Sequence, residues 1–289
     1  MGRSSLLLSV VVLVSGCATQ VATPQVVWPE GETSSARYVG ILPTVDAVVA
    51  TDTKKRQARL LVDTGCEGVA LSSSLVTALE LPSLHKVVRY EGSPVDQGGV
   101  GHGHTVSHGL GRIEVRGCFV LQGGEAIEVG MPRGLDALAG LVAFPDRAVI
   151  FEPSQNKVHF VTRELADQLA AAEGATALPA RRRHNTLLVH VRIGQLEADF
   201  LVDTGARYSW ISPAIAKGAA VNGTGRTVQG RLLSGRADLG LRVLKVEKDG
   251  VLEGGLGADI LLGLGRAVLL DLERERVVLL PALPSSSSR

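Results

Sequence analysis

Two aspartates, Asp63 and Asp203, lie in the same five-residue phrase, Leu-Val-Asp-Thr-Gly, which occurs at 61–65 and again at 201–205. A pair of carboxyl groups suits general acid–base chemistry, because an ionised carboxylate can take a proton from water while a protonated partner polarises a carbonyl. Carboxyl groups that lie close together cannot both ionise, so the pair shares one proton. If the two phrases meet, the sequence predicts one acid–base site built from both.

The repeat extends well beyond the phrase. Residues 63–79 align with 203–219 without a gap, and each copy runs from an apolar segment through Asp-Thr-Gly to an apolar-Ser pair and a helix-like segment. An internal repeat of this kind predicts two copies of one structural unit. We expect a buried strand before each aspartate and two units related by a pseudo-two-fold axis.

The residues after each aspartate should form a tight turn that holds the carboxylate. Gly65 and Gly205 allow the backbone to turn sharply and to approach a neighbour closely. Thr64 and Thr204 can donate hydroxyl hydrogen bonds to nearby backbone, which would stiffen each turn. These four residues are therefore predicted to support the catalytic loops.

At these motifs the chain resembles the aspartic peptidases of the retropepsin and pepsin clan. Their mark is two apolar residues with Asp-Thr-Gly, followed in the same lobe by two apolar residues and Gly, here identified as Leu138–Gly140 and Leu261–Gly263. A pair of short strands follows each second motif. The resemblance covers roughly residues 40–281 and implies an all-β, bilobal acid-protease fold: two retropepsin-like β-barrel lobes about a pseudo-two-fold axis, with few short helices.

The resemblance also implies a function. The chain would be an aspartic endopeptidase in which Asp63 and Asp203 hold one water, form a tetrahedral diol without a covalent adduct, and give a bell-shaped pH profile. It would need no cofactor, and a monomer would suffice because both turns come from one chain. The alternative is a catalytically inactive envelope lipoprotein of the same fold that binds a peptide or a partner.

A hairpin in each half should fold over a peptide or protein substrate. In the first half the candidate is the glycine-rich segment 96–105, with Gly98, Gly99 and Gly101 as flap residues, since glycine-rich hairpins make mobile lids. In the second half the candidate is Val228–Gly235.

Three histidines in and near the first hairpin, His102, His104 and His108, leave a metal carrier as a further alternative. His-x-His on a strand points both rings to one face, which suits a metal. No carboxylate or cysteine lies close in sequence to complete the ligand set. We therefore interpret the segment as a polar flap and predict no metal.

The overall composition excludes some partners. The 289 residues carry 30 basic and 29 acidic side chains, a net charge of +1, so the balance gives no indication of nucleic acid binding. A hydrophobic content of 45% with 34 glycines suits a turn-rich β protein with a full-sized core.

The N-terminal residues indicate export. Arg3 precedes the apolar run Leu6–Val14, which is too short to span a bilayer but suits a signal peptide. The run leads to Ser15-Gly16-Cys17, which resembles the lipobox of bacterial lipoproteins and implies lipidation of Cys17; an ordinary cleaved signal is the alternative. We expect a lipid-anchored protein of the bacterial envelope, facing the periplasm or the exterior.

The predicted organisation follows from these segments. Leu165–Ala172 suits a helix, and the arginines 181–183 suit a solvated connector. With Cys17 lipidated, Cys66 and Cys118 remain either as a disulfide or as small thiols. The predicted parts are a signal peptide (1–16), a lipidated tether (17–37), an N-terminal lobe (38–163), a linker (164–183), a C-terminal lobe (184–283) and a tail (284–289).

Overall fold

Short β-strands dominate the chain, whose computed structural model describes residues 33–91, 102–115, 118–218, 227–246 and 252–281. The predicted signal peptide, the predicted lipidation site Cys17 and the predicted tail lie outside these ranges. The described part of the first half contains β1 (Thr33–Val39), β2 (Leu42–Ala50), β3 (Lys55–Val62), β4 (Val69–Ser72), α1 (Ser73–Leu79), β5 (Ser83–Glu91), β6 (His102–Gly109), β7 (Arg112–Val115), β8 (Phe119–Gln122), β9 (Glu125–Val129) and β10 (Ala137–Ala139).

A connecting region and a second half complete the fold. The connecting elements are β11 (Arg147–Glu152), β12 (Lys157–Thr162), α2 (Arg163–Ala170) and β13 (Thr176–Leu178), with 3₁₀ turns at Leu141–Ala143 and Pro153–Gln155. The second half has β14 (Ala180–Arg183), β15 (Thr186–Ile193), β16 (Leu196–Val202), β17 (Trp210–Ile211), α3 (Pro213–Gly218), β18 (Thr227–Ser234), β19 (Ala237–Val246), β20 (Gly254–Leu256), α4 (Ala258–Leu261), β21 (Val268–Asp271) and β22 (Arg276–Leu279).

The second half closes into a six-stranded barrel. Its strands follow the order β15-β16-β20-β17-β19-β18, and β18 pairs back to β15. The first half repeats this arrangement: β3 pairs parallel with β10, β10 antiparallel with β4, and β4 parallel with β9, while β7 pairs with β2. The prediction of an all-β fold with two related lobes and few short helices is confirmed.

One antiparallel sheet joins the two lobes, in the order β13-β22-β21-β11-β12-β1. Strands β11 and β21 pair symmetrically, with Ile150 opposite Leu269 at the centre and Val149 and Phe151 opposite Leu270 and Val268. The pseudo-two-fold axis therefore passes through the middle of this sheet. One face of the sheet packs on the main core, and α2 covers the other.

The apolar-Ser pairs of the repeat prove to be helix starts. Ser72 is the N-cap of α1, where its side chain accepts a hydrogen bond from Leu75 N, and Ser212 Oγ accepts from Ile215 N at the start of α3. The predicted short helices are therefore confirmed in both lobes, and their caps explain why each repeat carries serine at this position.

Two predicted segments differ from the structure. The first lobe already includes residues of the predicted tether, because β1 starts at Thr33 and pairs with β12. Within the predicted linker the expected helix is present as α2, but the arginines 181–183 belong to β14, which pairs with β15, and do not form an unpaired connector.

The second-lobe motif predicted at Leu261–Gly263 is also wrong. The strand that pairs with β16 in parallel is β20, so the motif glycine is Gly257. Both glycines pack against the carbonyl of the residue three positions after an aspartate. A Cβ on Gly257 would lie 2.9 Å from Ala206 O, and a Cβ on Gly140 would lie 1.9 Å from Cys66 O. The apolar-apolar-Gly motif is hard to recognise in the second lobe because Gly255 stands where an apolar residue is expected. A larger side chain does not fit there, because a Cβ on Gly255 would lie 2.4 Å from Trp210 Nε1.

The two flap predictions have different outcomes. Strands β5 and β6 form an antiparallel hairpin in the first lobe, as expected, but its tip, with Gly98, Gly99 and Gly101, lies outside the described residues. The second candidate is wrong: Thr227–Ser234 is a wall strand of the barrel that pairs with both β15 and β19. Val228 and Leu232 are buried, so this segment cannot lift as a lid. Within the described ranges, no helix is long and apolar enough to cross a membrane.

Candidate active site

Each aspartate stands at the end of a buried strand. Asp63 follows β3 and Asp203 follows β16, and Val62 and Val202 before them are fully buried. The parallel partner strand fixes each backbone, because Asp63 N donates to Ala139 O at 2.9 Å and Asp203 N donates to Leu256 O at 3.0 Å. The two carboxylates are therefore held where buried strands end, with each aspartate's backbone N–H bonded to the partner strand.

The two turns meet so closely that each carboxyl group covers the glycine of the other turn. A Cβ added to Gly65 would lie 2.5 Å from Cγ of Asp203, and one added to Gly205 would lie 2.3 Å from Cγ of Asp63. No side chain fits at such distances, so both glycines are required by close approach. The predicted side-by-side placement of Asp63 and Asp203 is present.

The threonines connect the lobes, which differs from the expected stiffening of their own turns. Thr64 Oγ1 donates to Val202 O at 2.7 Å, and Thr204 Oγ1 donates to Val62 O at 2.6 Å. Each hydroxyl also accepts from the other threonine's backbone N–H, at 3.0 and 3.2 Å. Both side chains are fully buried, so these four hydrogen bonds form an interlobe lock beneath the carboxylates.

The environment of the carboxyl groups favours a shared proton. Burial, reinforced by the negative charge of Asp203, raises the pKa of Asp63 well above its usual value. Burial also raises the pKa of Asp203, although backbone N–H groups of Ala206 and Gly205 and the carboxyl of Asp63 oppose this shift. Asp203 Oδ1 accepts from both N–H groups at 2.9 Å, whereas Asp63 Oδ1 accepts from Gly65 N at 3.1 Å. These bonds favour the ionised form of Asp203 more strongly.

Cys66 lies directly after the first turn, where its surroundings disfavour the thiolate form. Burial, reinforced by the charge of Asp63, raises the pKa of its thiol to about 12, and Sγ donates to Gly68 O at 3.2 Å. The thiol therefore stays protonated at neutral pH. Cys66 and Cys118 both fall within the described residues and are not joined by a disulfide.

The three histidines do not converge where the structure describes them. His108 is buried, with Nε2 at 3.2 Å from Glu128 Oε2 and Nδ1 at 3.4 Å from Leu81 O, whereas His104 is exposed. The side chain of His102 lies outside the described residues. Among the side chains that are described, no three His, Cys, Asp or Glu residues group as a metal site.

Two charged residues beside the dyad were missed in the sequence. Glu67 and Arg207 occupy the same place in the repeat, four residues after Asp63 and Asp203. Each reaches the first hairpin turn of the opposite lobe: Glu67 contacts His184, and the Arg207 guanidinium lies against Gly40. The signal was available in the repeat alignment, which places opposite charges at equivalent positions.

Comparison with known proteins supports the geometry. No curated protein gives a significant match to the chain. Residues 189–264, which run from β15 past α4 and include Asp203, match the family model described as aspartyl protease. This match covers about a quarter of the chain, on a segment that contributes one of the two aspartates and most of the second barrel, and it shows that this segment is similar to aspartyl proteases.

Proposed function

We propose that the protein is an aspartic endopeptidase that hydrolyses peptide bonds with a water activated between Asp63 and Asp203. The observation that carries the proposal is the mutual approach of the two turns, in which each carboxyl group lies over the other turn's glycine. An inactive binding protein would have little use for two buried carboxyl groups in contact, because burying even their one shared negative charge is costly. Thr64, Gly65, Thr204 and Gly205 hold the pair in this geometry.

In this reaction the dyad carries one proton and one negative charge. The ionised carboxylate removes a proton from the bound water as its oxygen attacks the substrate carbonyl carbon. The protonated carboxyl donates its proton to the carbonyl oxygen, which gives a neutral tetrahedral diol. In the collapse of the diol, the dyad donates its proton to the leaving nitrogen and the C–N bond breaks. One diol hydroxyl passes its proton to the dyad, which again holds one proton and one negative charge. The backbone hydrogen bonds to Asp203 support it as the base.

The natural place of action is proposed to be the bacterial envelope, with the chain acting as a monomer. The support is the signal-like run Leu6–Val14 followed by Cys17, whose lipid would hold the protein at a membrane facing the periplasm or the exterior. A Cys17→Ser variant should move from the membrane fraction to the soluble fraction of the same cells. Unchanged membrane association of that variant would remove the lipid anchor from the proposal.

Incubation with a mixed peptide library and with casein tests the activity. We expect cleavage within chains, and we expect a peptide with a hydroxyl-bearing carbon in place of the scissile carbonyl to block it, because this carbon mimics the diol. A metal chelator and a thiol reagent serve as matched controls and should leave cleavage unchanged. No cleavage of any substrate between pH 3 and pH 8, with the analogue still bound, would favour the inactive binding protein.

A further inference from the structure

Equivalent positions in the two lobes carry opposite charges at the two sides of the dyad. Glu67 and Arg207 both follow their aspartate by four residues and both reach across to the opposite lobe. Glu67 meets the turn between β14 and β15, and Arg207 meets the turn between β1 and β2. The pseudo-two-fold axis therefore relates a negative group on one side of the cleft to a positive group on the other.

The negatively charged group, the carboxylate of Glu67, already has a partner within the protein. Glu67 Oε1 lies 3.1 Å from His184 Nδ1, and Asn185 Nδ2 donates to Glu67 O at 2.9 Å. His184 occupies the left-handed conformation, with φ of 50°, at the centre of its turn. Glu67 therefore has a partner from the opposite lobe before any ligand binds.

The positive side has no such partner among the described residues. The place of His184 is taken by Gly40, which is also left-handed, with φ of 66°, but offers no side chain. Arg207 Nη2 would lie 3.1 Å from a Cβ at Gly40. Arg207 Nε is buried without a hydrogen-bond partner, and no carboxylate in the described ranges pairs with this half-buried guanidinium.

A half-buried guanidinium without a partner is suited to bind an anion. Arginine presents planar N–H donors that match a carboxylate in a two-point hydrogen bond, and leaving such donors unpaired in a partly desolvated place is unfavourable. The next residue, Tyr208, carries Lys245 Nζ at 3.8 Å above its ring, which adds positive charge here. The site lies four residues from Asp203, within reach of substrate residues near the scissile bond.

We propose that Arg207 is a specificity-determining residue that binds a carboxylate of the substrate, with the side chain of Glu or Asp as its source. This inference rests on the proposed peptidase function and names the substrate class of that site. Preferred substrates carry an acidic residue within a few positions of the cleaved bond, on the side where Arg207 lies. The same peptides with Gln or Asn at that position are cleaved less efficiently.

The test compares matched fluorogenic peptides that differ in a single residue, Glu or Gln, scanned through each position on both sides of the cleaved bond. We expect kcat/KM to be about tenfold higher for Glu at one position, as for a charge-assisted hydrogen bond, and the ratio to shrink with added salt. A second set with a free or an amidated C-terminus distinguishes a side-chain carboxylate from a terminal one. A preference only for the free C-terminus would overturn the side-chain source.

Two variants remove the subsite in different ways. Arg207→Gln deletes the cation, and Gly40→Asp keeps Arg207 but supplies a partner in the place of His184; aspartate tolerates the left-handed conformation of Gly40. Both should bring the Glu/Gln ratio close to one. Gly40→Asn is the matched neutral control for the second variant, and Arg56→Gln, an exposed arginine early in β3, is the control for the first; both should keep the ratio of the wild type.

The outcomes separate the inference from the proposed function. Cleavage of the Gln peptides with a ratio near one at every position in the wild type would overturn the carboxylate subsite and leave the peptidase function intact. If nothing is cleaved, the peptidase function fails. The dissociation constants of the Glu and Gln peptides then test the subsite: about tenfold tighter binding of the Glu peptide supports it, and equal binding overturns it. A ratio that survives both Arg207→Gln and Gly40→Asp would assign the preference to another residue.

Discussion

Asp63→Asn and Asp203→Asn each lower kcat/KM by about 10³-fold or more, because either change removes one half of the acid–base pair. Asparagine keeps the shape and a hydrogen-bonding oxygen but cannot carry the exchangeable proton or the charge. The double variant should be little worse than either single variant, since the two residues act as one unit. Cleavage rates of one peptide by all four proteins provide the measurement.

Thermal unfolding across pH shows whether these variants keep the fold. Burial raises the pKa of both aspartates, so the folded protein holds protons more tightly than the unfolded chain. The contribution of the pair is fully present below the unfolded pKa of about 4 and is lost as pH rises through the folded-state values. At pH 7 each Asn variant should therefore unfold at the wild-type temperature or above it. Substantial residual cleavage in either folded variant would contradict the shared dyad.

Thr204→Val weakens the junction between the lobes more than an ordinary surface change. Valine keeps the branched shape but removes the hydroxyl that donates to Val62 O and accepts from Thr64 N. Two buried backbone groups lose partners, so the free energy of unfolding should fall by about 2–5 kcal/mol. Because the lock lies directly under the dyad, kcat should also fall by roughly 10²-fold through misplacement of the carboxylates. Chemical denaturation and cleavage assays measure the two effects.

Thr204→Ser is the matched control, because it restores the hydroxyl and should recover most of the stability and activity. Thr64→Val should match Thr204→Val, and the double variant should cost less than the sum, since both residues belong to one network. A stability of Thr204→Val within about 0.5 kcal/mol of the wild type, the usual range for a surface change, would show that the lock does not stabilise the junction.

The sequence predicted those parts of the site that depend on local residue types. The repeated Asp-Thr-Gly phrase located the carboxylates, and the helix-like segments after it proved to be α1 and α3. The apolar runs before each aspartate correctly indicated buried strands, because a strand enclosed on both faces is apolar throughout. Repetition of one local pattern was thus sufficient to predict the two-lobed arrangement.

Features that depend on contacts between distant residues were missed or misplaced. The threonine hydroxyls bond across the axis to the opposite strand, which local turn chemistry does not indicate. The glycine motif of the second lobe was displaced because Trp210 occupies the space of the expected apolar side chain at Gly255. The predicted second flap became a barrel strand because its pairing with β15 closes the wall.

The pH dependence of kcat/KM for one neutral peptide tests most directly whether Asp63 and Asp203 share a proton. Between their two ionisations the pair holds one proton, so we predict a bell-shaped profile that falls at low pH, when both carboxyls are protonated, and at high pH, when neither is. Substrates without other ionisable groups ensure that both limbs belong to the enzyme. A profile with a single rising limb and a plateau through high pH would show that one base acts alone, and would contradict the account.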